Sequence, residues 1–256
     1  MFIIDEAERL VFNIGGDIKH YFSLYTLENI YLYNFTISDQ TLFTFDEMNK
    51  INGLKNGFEK NKLLKDILFQ KIMNSENKLQ YYNWIVKQWG GIRHFDKSKE
   101  EIDDFFENIT NKRLYVRHFG TISSYSKLIS FKNPSEYFIF DSKVAYVLNW
   151  LLLKNYKKEN KYFIIPPGRN SDLVKYNMDT IINLYDKNNI KHYYEKKHTY
   201  FIYCEFIKRL FKNIKNGNIE KPYYIEMMLF GLFENISNEI KNRVRIIIEW
   251  KADRYP

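Results

Sequence analysis

Apolar side chains recur at three- and four-residue intervals along most of the chain, which is the spacing of one face of a helix. We therefore expect a mainly α protein with about ten helices and little strand. The periodic segments lie at residues 58–73, 76–89, 99–109, 122–131, 144–152, 171–187, 199–214, 222–232 and 237–250.

Three stretches lack this regular spacing. Residues 1–57 are dense in aromatic and apolar side chains without a clean period, and Gly15-Gly16 interrupts them, so we expect short helices and turns there. Residues 154–170 are basic and polar, which indicates a loop and a candidate boundary between two halves. Residues 187–197 are a second polar connector. We expect one structural unit over residues 1–256, with a division into two helical subdomains left open.

Several helix ends are marked by residues with strong local preferences. Gly90-Gly91 is a strong terminator for the helix at 76–89. Ser98 is a good N-cap for the next helix, and Glu101 three residues later completes a capping box. Pro222 suits the first position of a helix because a proline there loses no hydrogen bond.

The stretch from Thr121 to Trp150 carries the best chemical clue in the chain. Lys127 lies just inside one apolar-periodic helix, and Asp141 directly precedes the next. Pro134 ends the first helix, so Tyr137 to Phe140 must be extended to bring the chain to Asp141. A lysine and a carboxylate at the starts of two closely linked helices can meet in space. Position alone favours a simpler interpretation, in which Asp141 is an N-cap and Lys127 is a surface charge.

Ser123, Ser124 and Ser126 cluster at the start of the helix that carries Lys127. Small hydroxyl side chains at this position can cap a helix and leave backbone N–H groups facing outward, where they bind phosphate well. An ordinary capped helix explains the same serines, and from these residues alone it is the preferred interpretation.

Composition narrows the classes of partner. The 39 lysines and arginines against 31 aspartates and glutamates give a net charge of +8, which favours polyanionic partners, although many basic proteins bind no nucleic acid. The single cysteine, Cys204, excludes an intramolecular disulfide and a cysteine-ligated iron–sulfur cluster. The five histidines are scattered, so we expect no metal and no cofactor. With no apolar run long enough for a membrane span, we expect a soluble, cytoplasmic monomer.

Two short motifs together resemble a known group of enzymes. The first is Ser126-Lys127 after a candidate hairpin at Gly120 to Ser124, and the second is Phe140-Asp141-Ser142-Lys143-Val144. They resemble the helix-hairpin-helix DNA glycosylase superfamily, and within it the 8-oxoguanine DNA glycosylase-like proteins of bacteria. In that superfamily a catalytic lysine begins the helix after the hairpin, and a catalytic aspartate follows in an apolar-Asp-Thr/Ser-His-Val motif.

The resemblance assigns roles residue by residue. It implies a multi-helix glycosylase-like fold with a helix-hairpin-helix element and an active-site cleft between two helical halves. Residues 112–153 would hold the hairpin together with the catalytic Lys127 and Asp141. The other candidates are DNA contacts at Ser123, Ser124, Ser126 and Lys143, and base-pocket residues at Trp89 and Tyr125.

The sequence also departs from the family pattern. Lys143 stands where a histidine is common, and Ser123-Ser124-Tyr125-Ser126 replaces the usual Gly-x-Gly of the hairpin. Glu226 to Phe230 resembles a C-terminal feature of the glycosylase-like group, with no chemistry attached to it.

The resemblance implies an enzyme that excises an oxidised or otherwise modified base from double-stranded DNA, with an AP-lyase step, in repair or in defence against phage. A catalytically inactive, glycosylase-like DNA-binding protein is the alternative. A helical protein-interaction module is a third interpretation.

Overall fold

The computed structural model describes residues 1–155, 157, 160–168, 170–185, 193–214 and 219–245. Within these ranges the regular structure is helical, and the only β pairing is an isolated parallel bridge between Tyr162 and Tyr193. The expectation of a mainly α protein is therefore confirmed.

The described helices are numbered in chain order. They are α1 (Phe2–Leu24), α2 (Leu27–Ile30), α3 (Phe45–Asn52), α4 (Gly57–Asn74), α5 (Lys78–Trp84), α6 (Lys99–Thr110), α7 (Val116–Phe119), α8 (Ile122–Lys132), α9 (Ser142–Lys154), α10 (Ser171–Lys175), α11 (Met178–Tyr185), α12 (Lys196–Ile214), α13 (Tyr223–Gly231) and α14 (Phe233–Arg243). Helix α5 continues directly into a π-helical segment, Ile85–Trp89.

The prediction for the N-terminus was wrong over its first 24 residues. Helix α1 runs through Gly15-Gly16 without interruption. Gly15 is buried where α1 packs along α12, and a Cβ there would lie 3.2 Å from Leu210 Cδ1. Its small size serves close helix packing, which sequence spacing alone does not show. From residue 25 to 44 the chain forms only the four-residue α2 and irregular structure, as expected.

Most of the periodic segments form the predicted helices, with some differences at the ends. Helix α6 begins with the predicted capping box between Ser98 and Glu101. The segment predicted as one helix at 171–187 divides into α10 and α11, because the side chain of Asn177 accepts a hydrogen bond from the backbone N–H of Thr180 and starts a new helix.

Towards the C-terminus, Pro222 occupies the N-cap position of α13, one residue before its first turn, without a side-chain capping hydrogen bond. The last predicted helix, 237–250, begins earlier, at Phe233. Residues 246–250 of that prediction and residues 187–192 of the polar connector lie outside the described residues.

The candidate hairpin is a tighter turn than predicted. Only Gly120 and Thr121 separate α7 from α8, so Ile122 to Ser124 already belong to the first turn of α8. Thr121 occupies the N-cap position without a side-chain capping hydrogen bond, and its hydroxyl donates to the carbonyl of His118 instead. The serines of α8 therefore do not cap the helix.

Helices α8 and α9 lie at the centre of the fold. Helix α9 is buried over most of its length and packs against α1, α11, α13 and α14. Helix α8 packs against α4, α6 and the π-helical segment. The link between α8 and α9, which carries the chain to Asp141, is thus enclosed by helices from both ends of the sequence.

Candidate active site

Lys127 is a buried lysine in the second turn of α8. Lys127 is only 8% exposed, and its Nζ atom donates a hydrogen bond to the carbonyl of Ser123 at 3.0 Å. Burial disfavours the charged ammonium and lowers the pKa of Lys127, an effect that the nearby carboxylates of Asp141 and Glu226 partly oppose. The expectation of a surface charge at this position, drawn from sequence spacing alone, was wrong.

Asp141 is the N-cap of α9, as predicted. Its Oδ1 atom accepts a hydrogen bond from the backbone N–H of Val144 at 3.1 Å, and the residue is half-buried. A single capping bond uses one carboxylate oxygen, and the same side chain borders the cavities described below.

The extended link from Tyr137 to Phe140 is fixed by side chains from other helices. Ser126, which is fully buried, accepts a hydrogen bond through Oγ from the backbone N–H of Phe140 at 3.0 Å. An extended segment outside a sheet needs such partners, because buried backbone groups are costly when unpaired. Ser126 therefore ties α8 to the residue directly before Asp141.

Two tyrosines of α12 hold the same link from the other side. The hydroxyl of Tyr200 donates to the carbonyl of Phe138 at 3.1 Å, and that of Tyr203 donates to the carbonyl of Ile139 at 2.9 Å. Both tyrosines are fully buried. The position of Asp141 is thus set by contacts with α8 and α12 as well as by its own helix.

Two cavities meet at Lys127 and Asp141. The larger, here called the open cavity, has a volume of about 470 Å³ and lies among the loop that follows the π-helical segment, the turn before α8, and Pro167-Gly168. The smaller, here called the aromatic cavity, has a volume of about 90 Å³. Lys127, Asp141 and Gly90 border both cavities. The aromatic cavity is completed by Tyr31, Tyr33, Trp89, Ile139, Glu226 and Phe230.

Glu226 is a site residue to which the sequence attached no chemistry. It is 3% exposed in α13, and its Oε2 atom accepts a hydrogen bond from the backbone N–H of Ile139 at 3.3 Å. Burial is the main reason that its pKa is raised to about 7, with Asp141 adding to the rise while Lys65, the hydrogen bond and Lys127 oppose it. The sequence signal that could have identified Glu226 is its position as a charged residue within the apolar run of α13.

Lys65 is a second buried lysine near this carboxyl group. It is 2% exposed in α4, its Nζ donates to the hydroxyl of Ser130 at 3.3 Å, and it lies 4.6 Å from the centre of the Phe131 ring. Burial lowers its pKa, and Glu226 opposes that change. Lysines along an amphipathic helix usually form a solvated face, but Lys65 and Lys60 of this helix are both buried.

The three candidate serines have different environments. Ser123 and Ser124 border the open cavity, and the Ser123 hydroxyl oxygen is buried without a hydrogen-bond partner among the described residues. Ser126 is fully buried behind them and serves the link to Phe140. The geometry therefore leaves Ser123 and Ser124 beside the space where a ligand would lie and separates Ser126 from it.

Lys143 lies beside the candidate pair in sequence but faces another group of residues. Its ammonium lies 4.9 Å from the ring centre of Phe230, 4.8 Å from that of Phe233, and 3.6 Å from an oxygen of Glu234. These contacts direct it to the junction of α13 and α14. The structure does not bring it together with Ser123 and Ser124 at the open cavity.

The two candidate aromatic residues are also separated. Trp89 borders the aromatic cavity, and its Nε1 donates to Asn61 at 2.9 Å, which fixes the ring. Tyr125 borders neither the open nor the aromatic cavity. Its ring stacks on Phe105 with centres 4.3 Å apart. Of the two, only Trp89 lies beside Lys127 and Asp141.

The described residues contain no group of three or more histidine, cysteine or carboxylate side chains able to hold a metal ion. No helix in the described ranges is both long and apolar enough to cross a bilayer.

Comparisons with protein-family models, with curated proteins and with solved structures give no match for this chain. The proposal for its function therefore rests on its own residues and their geometry.

Proposed function

We propose that this protein is a DNA glycosylase with an associated lyase activity, which removes an oxidised or otherwise modified base from double-stranded DNA. The supporting observation is the placement of Lys127 and Asp141 at the border of the same two cavities. One is a buried amine with a lowered pKa, and the other is a carboxylate at a helix N-terminus. The resemblance of the Ser126-Lys127 and Phe140 to Val144 motifs to glycosylases agrees with this chemistry.

Lys127 has the properties that a nucleophilic amine requires. Only a neutral amine carries the free electron pair that attacks carbon, and burial lowers the pKa of Lys127, which favours the neutral form. In the proposed reaction, Nζ bonds to the sugar C1′ while the bond from C1′ to the base breaks, and the base leaves with that electron pair and takes up a proton. The amine loses two protons, one to the departing base and one to O4′ as the bond from C1′ to O4′ breaks, which gives a Schiff base. Removal of a proton from C2′ then expels the 3′ phosphate by β-elimination and cleaves the strand.

Asp141 suits the complementary role. Positive charge develops on the sugar ring as the base departs, and an ionised carboxylate beside it stabilises that charge. The same carboxylate can accept a proton from the attacking amine. Its capping bond to Val144 keeps it in place, since the group that serves the chemistry is also part of the helix start.

The surroundings of the pair fit a nucleic-acid substrate. The open cavity, at about 470 Å³, falls within the range of ligand-binding pockets. A base inside a duplex must first leave the stack, at a cost of a few kcal/mol, before it reaches such a site. The net charge of +8 supplies attraction to phosphate that is independent of sequence.

A screen of the wild-type protein against duplexes that each carry one modified base tests the proposal. We expect release of at least one free base, and no release by Asp141→Asn, which keeps the cap but removes the charge. Binding of the same duplexes is measured in parallel. Intact binding by Asp141→Asn with lost excision supports the enzyme, whereas binding without excision by the wild type across the panel supports the inactive DNA-binding protein.

A further inference from the structure

The Glu226 carboxyl group is buried, and the free-energy cost of removing it from water must be offset. Moving a carboxylate out of water is unfavourable unless it is paired and hydrogen-bonded, or takes up a proton. Glu226 lies in an otherwise apolar helix and is 3% exposed. The proposed mechanism does not use it, so its presence beside the reacting pair calls for a separate account.

The contacts of Glu226 connect it to both members of the pair. Its Oε2 accepts a hydrogen bond from the N–H of Ile139, two residues before Asp141, and so helps to fix the link that carries that aspartate. It also borders the aromatic cavity together with Lys127. Lys65, in α4, supplies a nearby positive charge that favours the ionised form of Glu226. Lys65, Glu226, Lys127 and Asp141 form a series of charged groups in which Glu226 interacts by charge with each of the other three. Asp141 is half-buried, and the others are buried.

We propose that Glu226 is a positioning residue for the reaction, whose carboxyl group fixes the backbone beside Asp141 and acts by its charge on the Lys127 amine. This role rests on the proposed function, because it assumes that Lys127 is the nucleophile. It adds a third group to the site and gives Lys65 a reason to be buried, as the counter-charge of Glu226.

The direction of the electrostatic effect follows from the signs. An ionised Glu226 raises the pKa of Lys127 and so opposes the effect of burial, while a protonated Glu226 does not. Lys65 favours the ionised form of Glu226. Loss of the negative charge at Glu226 should therefore shift the deprotonation of Lys127 to lower pH. Loss of the positive charge at Lys65 should shift it in the same direction.

Other groups also face these side chains. Asp141, at the start of α9, also acts by its charge on Lys127 and on Glu226. The tyrosines whose pKa values Glu226 raises are Tyr31, Tyr203 and Tyr223, and burial is the larger cause in each of them. These tyrosines are neutral at the pH of the experiment, so the charged series of four residues carries the expected shift.

Two substitutions separate the charge of Glu226 from its hydrogen bond. Glu226→Gln removes the charge but leaves a carbonyl oxygen that can still accept from Ile139. Glu226→Leu removes both. If the carboxyl group only supports the fold, the glutamine variant should behave as the wild type at Lys127, and only the leucine variant should differ.

Reductive methylation of the full chain with formaldehyde and cyanoborohydride measures the neutral amine directly. The rate of modification of the Lys127 peptide is followed by mass spectrometry between about pH 6 and pH 10. We expect the rate of Lys127 modification to reach its half-maximum at a lower pH in Glu226→Gln than in the wild type. Modification at neutral pH should therefore be faster in this variant. Lys65→Met, which conserves volume, should shift the midpoint in the same direction and provides the test if the glutamine variant does not fold.

The control is Glu6→Gln. Glu6 is another buried carboxylate, 5% exposed in α1, which pairs with Lys161 at 3.0 Å and is absent from the charges that act on Lys127. In Glu6→Gln, the pH midpoint for modification of Lys127 should equal that of the wild type. Unchanged or higher midpoints in both Glu226→Gln and Lys65→Met would overturn the role of Glu226. This labelling needs no DNA, so that result would leave the glycosylase proposal standing, whereas a Lys127 that is never modified would contradict the nucleophile itself.

Discussion

At the residue scale, Lys127 combines burial with a place at both cavities, whereas the other buried lysines, Lys60 and Lys65, border neither cavity. The Lys127 side chain passes close to Gly90, where an added Cβ would lie 3.0 Å from Lys127 Cδ. The same Cβ would lie 2.8 Å from the carbonyl oxygen of Val86. The glycine that ends the π-helical segment therefore provides the space in which the lysine is held.

Gly90→Ala should disturb both the fold and the site. The new methyl group must displace either the backbone or the Lys127 side chain, and overpacking of this kind costs about 1–3 kcal/mol. Chemical denaturation should show a lower free energy of unfolding, and Lys127 should lose activity as a nucleophile. Gly120→Ala is the matched control, since a Cβ there meets nothing within 4 Å. Equal stability of the two variants would contradict the close packing of Gly90 and Lys127.

The raised pKa of Glu226 predicts a pH dependence of stability. With a folded-state pKa of about 7 against an ordinary value of 4.5, the folded protein holds this proton more tightly than the unfolded chain. The contribution of Glu226 to stability is therefore fully present below about pH 4.5 and is lost as the pH rises towards 7. The slope for a single group is at most about 1.4 kcal/mol per pH unit.

The measurement is the difference in free energy of unfolding between the wild type and Glu226→Gln at several pH values. We expect the advantage of the wild type to shrink from about pH 4.5 to 7 and then to level off. Glu234→Gln, an exposed position near the same end of the molecule, should show no such trend. A difference that grows with pH over this interval would mean that burial does not dominate the titration of Glu226.

At the element scale, the start of α9 combines a structural and a proposed chemical role in Asp141. Asparagine caps a helix about as well as aspartate, whereas alanine costs about 0.5–2 kcal/mol. Asp141→Asn should therefore retain the stability of the wild type and lose base excision, and Asp141→Ala should lose both. Thermal unfolding and the base-release assay separate the two properties. Full excision by the asparagine variant would exclude the carboxylate from the chemistry.

Periodicity predicted those helices whose apolar residues recur clearly at helical spacing, among them α4, α6, α8, α9 and α12. It failed for α1, where Gly15-Gly16 suggests an interruption although the buried residues Ala7, Leu10, Ile14 and Ile18 recur at helical spacing. Gly15 lies where α1 packs against α12, almost 200 residues later in the chain. The π-helical segment before Gly90 was also missed. Local rules for capping performed better, since Ser98 and Asp141 act through neighbours in the chain.

The candidate site shows the same difference between residues placed by local sequence and residues placed by long-range packing. Lys127 and Asp141 were selected from sequence, and the structure places both at the same cavities. Glu226 and Lys65 were not selected, because they join the site through helices distant in sequence. Lys143 and Tyr125 are adjacent to the pair in sequence, yet their side chains contact Phe230 and Phe105 instead. Adjacency in sequence identifies the element, while packing decides the direction of each side chain.

At the scale of the whole molecule, the net charge of +8 predicts how binding depends on salt. Each phosphate neutralised by the protein releases counterions, so the logarithm of the binding constant should fall linearly with the logarithm of salt concentration, by a slope of about 0.9 per phosphate contact. Fluorescence anisotropy with an unmodified duplex at increasing salt measures this slope. Absent binding, or binding that does not respond to salt, would favour the helical protein-interaction module.

The most direct test of the central proposal is borohydride trapping of the Schiff base between Lys127 and a duplex with a modified base. We expect the wild type to form a covalent adduct with at least one such duplex, and Lys127→Ala to form none. Lys132→Ala, which removes a half-buried lysine of the same helix beside the ring of Phe106, should still form the adduct. Trapping by Lys127→Ala, or no adduct between the wild type and any modified duplex, would contradict the assignment of Lys127 as the nucleophile.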